Sequence, residues 1–142
     1  MYIKKLKLHN FRNYKSLTVT LTKGINIIYG ENAQGKTNLL ESIYVLGLTK
    51  SHRSFIDNNL INNEGEYLTI EGIINKEKID NKLNIYIDNK NKILKYNNNT
   101  IKKVSDYISK MNIIIFYPDD LELIKVSPID RRKYINLELS QL

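Results

Sequence analysis

The first 21 residues carry two runs in which apolar and polar side chains alternate. Every second position is apolar, at Leu6 and Leu8 in the first run and at Leu17, Val19 and Leu21 in the second. A period of two is typical of half-buried strands. The pattern predicts an antiparallel pair of strands, followed by a turn at Lys23-Gly24.

Two short apolar runs have no alternation. They are INIIY at residues 25–29 and NIIIFY at residues 112–117. Such a run, bounded by turn residues, is typical of a strand with both faces covered. We expect both to be buried strands, the second ended by Pro118.

A helical pattern follows the first of these runs. Its apolar positions are Leu39, Leu40, Ile43 and Leu46. This spacing is that of an amphipathic helix, which we expect to begin near Lys36. The order is therefore strand, loop and helix.

The middle of the chain is rich in strand-forming residues. After a polar connection at 49–66, β-rich segments occupy 67–74, 82–88 and 92–96, and the tract Asn97-Asn98-Asn99 is typical of a hairpin turn. We expect an antiparallel β layer over residues 55–104.

The last third of the chain carries helix-start signals. Ser105 is the predicted cap of a short helix over 104–111, and Pro118-Asp119-Asp120 is expected to open another over 121–125. Ser127 to Asp130 has the Ser, Pro and acid of a third start, and no stop signal follows. The sequence therefore predicts a fragment that ends inside or near a helix.

Composition excludes several classes of function. The 142 residues include no cysteine and only two histidines, so a disulfide framework, a thiol enzyme and a histidine-rich metal site are excluded. No apolar run is long enough to span a membrane, and we expect a soluble cytoplasmic protein without a membrane partner. The net charge of +7 suits a polyanion such as DNA. It fits equally well a general excess of Lys, Asn and Ile, with the lysines scattered.

The loop between the first apolar run and the helix fits the Walker A pattern. Its residues are Gly30, Glu31, Asn32, Ala33, Gln34, Gly35, Lys36 and Thr37. The glycines allow the backbone N–H groups to wrap a phosphate, and the helix start adds its positive dipole end. Lys36 would span the β- and γ-phosphates, and the Thr37 hydroxyl would hold Mg²⁺. The predicted ligands are ATP, or another nucleoside triphosphate, and magnesium.

The loop alone leaves the chemistry open, because kinases, GTPases, motor ATPases and ABC-type ATPases share it. A Walker B strand would end directly in an acid, but Asp119 lies beyond Tyr117 and Pro118. We favour a nucleotide-sensing turn or a helix cap for Asp119 and Asp120. A site without an acid to polarise water is expected to bind ATP better than it hydrolyses it.

Three blocks of the sequence carry a family resemblance. Residues 8–14, 24–54 and 116–142 resemble, in that order, the amino-terminal part of the RecF family of DNA replication and repair proteins. The resemblance implies an ABC-type ATPase head related to SMC proteins, with roles in DNA repair, replication and the SOS response. It also implies an ATP-dependent homodimer that binds DNA, with other recombination-repair proteins as further partners.

The resemblance also implies roles for single residues. Residues 30–37 would be the nucleotide loop, and Arg12 matches an arginine that reaches the phosphates in related heads, the alternative being a surface arginine. Arg53 is a weaker candidate on the phosphate or adenine side, the alternative being a solvated loop. Asp119 would stand near the Q-loop, where the family's Pro-Glu-Asp is Pro-Asp-Asp here. The family's signature motif, Walker B and switch histidine are absent.

The predicted fold class is α/β, a P-loop NTPase of ABC type with a mixed sheet, the P-loop helix on one face and an antiparallel β layer. It comprises a P-loop core at 1–50, an antiparallel β-rich segment at 55–104 and a segment at 105–142 that leads to a missing arm and C-terminal lobe. Three functions stay open at this point: the head of a weak DNA-dependent ATPase, inactive as a fragment; a P-loop kinase or other NTPase unrelated to DNA; and a module that binds ATP without hydrolysing it. A kinase is expected to have a lid rich in arginine, and Arg131-Arg132 is the only pair of adjacent arginines in the sequence.

Overall fold

A computed structural model describes residues 1–116 together with Arg132 and Asn136. In that part of the chain six strands form one sheet in the order β2-β1-β3-β4-β5-β6, and all of their pairings are antiparallel, whereas a mixed sheet was predicted. The strands are β1 (Tyr2–Phe11), β2 (Tyr14–Thr20), β3 (Tyr67–Lys76), β4 (Ile79–Asp88), β5 (Lys92–Tyr96) and β6 (Asn99–Ile101). The helices are α1 (Lys36–Leu48) and α2 (Val104–Ile108), with a 3-10 turn at Asp57–Leu60.

The opening hairpin and the β layer confirm the alternating pattern. Leu8 pairs with Leu17 across β1 and β2. β3 to β6 follow one another as an antiparallel meander, and Asn97 and Asn98 form its last turn with φ of 47° and 68°. Asparagine tolerates this left-handed backbone better than most residues, which explains the asparagine tract.

Helix α1 crosses the inner face of the sheet, as its apolar spacing predicts. Leu46 lies over Gly72 of β3, where a Cβ would stand 2.3 Å from the leucine Cδ2. The missing side chain at Gly72 thus allows the helix to approach the strand closely. The core between them consists of fully buried aliphatic and aromatic side chains, among them Leu6, Phe11, Val45, Leu46, Leu68, Ile70, Leu83 and Ile85.

The first continuous apolar run is not a buried strand, so that prediction was wrong. Ile25 and Tyr29 are each 90% exposed, and residues 25–29 have no strand pairing. A strand that is apolar on both faces needs neighbours and covering layers on both sides. None of the six described strands pairs with this run, and Ile25, Ile27 and Tyr29 therefore stay in solvent.

The second apolar run differs from its prediction in the same way. Residues 112–116 form no strand, and Ile114 and Phe116 are exposed. Ile113 is buried because it packs against α1, with its Cδ1 2.4 Å from where a Cβ on Gly47 would stand. The contact of Ile113 with α1 therefore helps to hold this segment against the helix.

The cap predicted for the short helix was also wrong. α2 begins after Lys103, which is its N-cap, and no side chain caps the helix. The Ser105 hydroxyl contacts the carboxylate of Asp106 at 3.3 Å. Ser105, the second residue of α2, therefore contacts the neighbouring acid instead of capping the helix.

The helices predicted after Pro118, with Asp119 and Asp120, lie outside the described residues. Arg132 and Asn136 are both helical and exposed, in line with the helix predicted after Ser127. No helix in the described part of the chain is long and apolar enough to cross a membrane.

Burial along β4 gives a test of the core. Ile85→Ala is expected to lower the free energy of unfolding by about 2–5 kcal/mol, because it opens a cavity under a fully buried side chain. Ile79→Ala removes the same atoms from an exposed position of the same strand and is expected to cost about 1 kcal/mol or less. Urea unfolding measures both; equal losses would contradict the assigned core.

Candidate phosphate-binding site

The glycine loop at residues 30–35 ends at a position that favours glycine. Gly35 is the N-cap of α1 and has a φ of 97°. A Cβ on Gly35 would stand 2.7 Å from Nδ2 of Asn13 and 2.8 Å from the Tyr14 hydroxyl. The backbone conformation therefore favours glycine here, and a side chain at this position would also have to displace Asn13 and Tyr14.

The Lys36 amine folds back over the loop. Its Nζ donates to the carbonyl oxygens of Gly30 at 2.6 Å and Glu31 at 2.5 Å. Both partners are neutral, so these bonds leave the positive charge of the lysine uncompensated. The amine thus places a positive charge at the first two residues of the loop.

The first turn of α1 adds to this positive field. The first helical hydrogen bond runs from the Leu39 N–H to the Gly35 carbonyl at 2.9 Å, and the first turn carries no acidic residue. The N–H groups of the residues before Leu39 therefore have no partner within the helix. The exposed Thr37 hydroxyl lies in this turn, as the Walker A pattern predicts.

Glu41, one turn further along α1, is fully buried and accepts four hydrogen bonds. Arg12 donates from Nη2 to Oε1 at 2.7 Å and from Nε to Oε2 at 3.0 Å. Ser51 donates to Oε1 at 2.5 Å, and Arg53 donates from Nη1 to Oε2 at 3.2 Å. The carboxylate thus gathers partners from the β1–β2 turn and from the loop after α1.

A chain of side chains connects this cluster to the glycine loop. Nη1 of Arg53 also donates to Oδ1 of Asn38 at 2.9 Å, and the Asn38 amide donates to Oδ1 of Asn13 at 2.8 Å. Asn13 in turn lies against Gly35. The two candidate arginines are therefore linked to the loop through α1 and two asparagines.

Opposing effects set the pKa of the Glu41 carboxyl group. Burial raises the pKa, but hydrogen bonds from Arg12 and Ser51 and the charges of Arg12 and Arg53 outweigh burial and lower it. Glu41 is therefore ionised at neutral pH, and the cluster of one carboxylate and two guanidinium groups has a net charge of +1.

A polar cavity of about 470 Å³ lies over the cluster. Arg12 and Arg53 line it together with several asparagines and Glu64, whose carboxylate pairs with Lys15 at 2.6 Å. The guanidinium side chains are 22% and 45% exposed, so part of each reaches the cavity. The cavity is therefore suited to a polar, anionic ligand.

Sequence reasoning selected Arg12 and Arg53 but missed the group that joins them. Glu41 has Val45 and Leu48 at i+4 and i+7, so a charged residue stands within the buried stripe of α1. That placement is the signal in the sequence, since a buried acid requires a cationic partner. No group of three or more His, Asp or Glu side chains arranged to hold a metal ion occurs within residues 1–116.

The whole chain resembles known proteins. It is 46% identical to the DNA replication and repair protein RecF of Pediococcus pentosaceus over all 142 residues, which are 38% of that protein's length. A solved structure of the recombination mediator protein RecF with ATPrS matches with a TM-score of 0.92 and 34% identity, covering 99% of this chain and 38% of that one. A chain from work on ATP-driven dimerisation and DNA-stimulated activation of SMC ATPases matches with a TM-score of 0.75 at 23% identity, which speaks for the fold alone.

These likenesses and the loop-helix geometry define the fold as that of an ABC-type P-loop ATPase head, as predicted. The family model for the RecF/RecN/SMC N-terminal domain matches residues 2–117. The chain belongs to this family, and the predicted resemblance to RecF is confirmed. A P-loop kinase, the alternative left open above, is not supported by these matches.

The lowered pKa of Glu41 predicts a pH-dependent contribution to stability. Since the pKa in the folded state lies below its usual value of 4.5, the ion pairs stabilise the fold above that pH and are lost as the pH falls through the lowered pKa. The difference in unfolding free energy between the wild type and Glu41→Gln is expected to be largest near neutral pH and to shrink in acid. Other titrating groups contribute equally to both proteins, and a difference constant across pH would contradict the assignment.

Proposed function

We propose that this chain is the ATP-binding part of a RecF-type protein of DNA replication and repair. The observation that carries the proposal is the loop itself, in which the Lys36 amine lies over the carbonyl oxygens of Gly30 and Glu31 and Gly35 caps the start of α1. A cation and unpaired N–H groups at a helix start are the donors that bind phosphate. The relatives are named for DNA replication and repair, and the RecF structure holds an ATP analogue.

The proposed roles follow the chemistry of each side chain. Residues 30–35 wrap the phosphates with backbone N–H groups, and Lys36 donates to the β- and γ-phosphates. Arg12 and Arg53 contribute positive charge from the adjoining cavity. These roles account for the net positive field at a site with no acid in the first helical turn.

Magnesium fits the donor set at the loop. Mg²⁺ in such sites takes most of its ligands from water and phosphate oxygens and only one or two from protein. The exposed Thr37 hydroxyl is a suitable protein ligand. When bound, the ion would neutralise phosphate charge, while Thr37 would fix its position relative to α1.

The site is better suited to binding than to hydrolysis. The Glu41 carboxylate, just after the first turn of α1, accepts four hydrogen bonds, which occupy all of its lone-pair sites. It has no free lone pair to activate water. We therefore propose that the chain binds ATP and that hydrolysis requires groups outside residues 1–116.

The whole protein is proposed to act on DNA as an ATP-dependent homodimer in the cytoplasm, with other recombination-repair proteins as partners. The net charge of +7 favours a polyanionic partner. ATP-driven dimerisation and DNA-stimulated activation are described for the SMC ATPases whose fold this chain shares.

Exposed apolar side chains support a division of the whole protein into further parts. Ile25, Ile27 and Tyr29 are exposed beside an apolar groove of about 280 Å³ lined by Val19, Leu40 and other residues. Exposed apolar side chains of this kind mark an interface. We propose that residues 1–50 and 55–104 form the P-loop core and the β-rich segment of the head, and that residues 105–142 lead into an arm and a C-terminal lobe that cover this patch.

The proposal is tested by nucleotide binding. Lys36→Ala is expected to weaken binding of a fluorescent ATP analogue with Mg²⁺ at least tenfold, because it removes the positive charge at the loop. Lys95→Ala makes the same change in charge on an exposed position of β5 and should leave binding unchanged. Tighter binding when duplex DNA is added would support coupling to DNA.

The proposed function fails if the wild type binds no ATP, or if both lysine variants bind as it does. Rapid ATP turnover by residues 1–142, abolished in Lys36→Ala, would contradict the proposal that this part binds without hydrolysing.

A further inference from the structure

The inward-facing Glu41 carboxylate stands out because it is shared by two arginines from different parts of the chain. Arg12 lies in the turn between β1 and β2, and Arg53 lies in the loop after α1. Both donate to Oε2, at 3.0 and 3.2 Å. Two guanidinium groups this close repel each other unless an anion lies between them.

The surrounding contacts hold each arginine to this carboxylate. Nη1 of Arg12 donates to the carbonyl of Asn59 at 2.8 Å, which fixes the plane of that guanidinium group. The Ser51 hydroxyl accepts the N–H of Arg53 at 2.9 Å and donates to Glu41. The turn that carries Arg53 is thereby tied to the carboxylate that its side chain contacts.

Both guanidinium groups keep donors for a further ligand. Arginine has five N–H donors, and the hydrogen bonds of Arg12 use its Nε, Nη1 and Nη2 atoms once each. Those of Arg53 involve Nη1 alone. Since both side chains line the polar cavity, a second anion can be bound there without breaking the contacts to Glu41.

We infer that Glu41 is a positioning residue, which holds Arg12 and Arg53 side by side so that the pair recognises the terminal phosphate of the nucleotide. The inference rests on the proposed function. In the proposed function Lys36 spans the β- and γ-phosphates, and the arginine pair is connected to the first turn of α1, next to Lys36, through Asn38. It therefore adds selectivity for a triphosphate over a diphosphate.

The test compares ATP and ADP binding to the protein in its natural length. Glu41→Gln keeps the shape and the hydrogen-bonding oxygen but removes the charge that lets two guanidinium groups share one site. We expect ATP binding to weaken roughly tenfold and ADP binding by less than about twofold. A merely structural ion pair would not change the ratio of the two affinities.

Glu71→Gln is the matched control. Glu71 also pairs with two cations, Lys7 at 3.4 Å and Lys82 at 2.7 Å, but it lies on β3 among sheet residues and not on α1. Its removal should leave the ratio of ATP to ADP affinity unchanged. Should Glu41→Gln fail to fold, Ser51→Ala removes a single bond to the carboxylate and is expected to lower the same ratio by a smaller factor.

Two results would overturn the inference: a ratio of ATP to ADP affinity that is unchanged, whether or not both affinities fall, or tighter ATP binding in Glu41→Gln. The last would make Glu41 a competitor of the phosphate. Failure of the proposed function would give a different result. In that case the wild type would bind neither nucleotide, or Lys36→Ala would bind both as the wild type does.

Discussion

The contact of α1 with the sheet fixes the positions of the candidate site residues that α1 and its N-cap carry. Leu46 fills the space over Gly72, and on another side Ile113 fits against Gly47. A helix held by close contacts at two glycines cannot rotate about its axis without a clash. Because Gly35 and Glu41 belong to the same helix or its cap, their directions are set by apolar packing one to three turns away.

Through the buried Glu41 carboxylate, helix α1 also holds two loops in place. Residues in turns gain little from packing, and the turns at Arg12 and Ser51 are each joined to α1 by a charged or short hydrogen bond. A buried acid with four donors is stable only while all of them stay in place. The hairpin, the helix and the loop after it therefore act as one unit around Glu41.

Local patterns predicted the elements whose neighbours are close in sequence. The β1–β2 hairpin, the meander from β3 to β6 and helix α1 all follow from periodicity and turn residues. The glycine loop was predictable because its chemistry lies within eight consecutive residues. The link between Arg12 and Arg53 was not predictable, since it depends on the Glu41 carboxylate, which connects three segments of the chain. The residues at 25–29 were mispredicted because a continuous apolar run specifies burial but not the element that provides it.

The same exposed run bears on how the loop is held. Within residues 1–116 the loop is fixed at its second end by Gly35 and α1, whereas residues 25–29 before Gly30 make no strand pairing. Backbone N–H groups bind a phosphate tightly only if their directions are set before the ligand arrives. An element that paired with residues 25–29 would fix the first end of the loop too. The same pairing would then both extend the sheet and raise the affinity of the loop for the nucleotide.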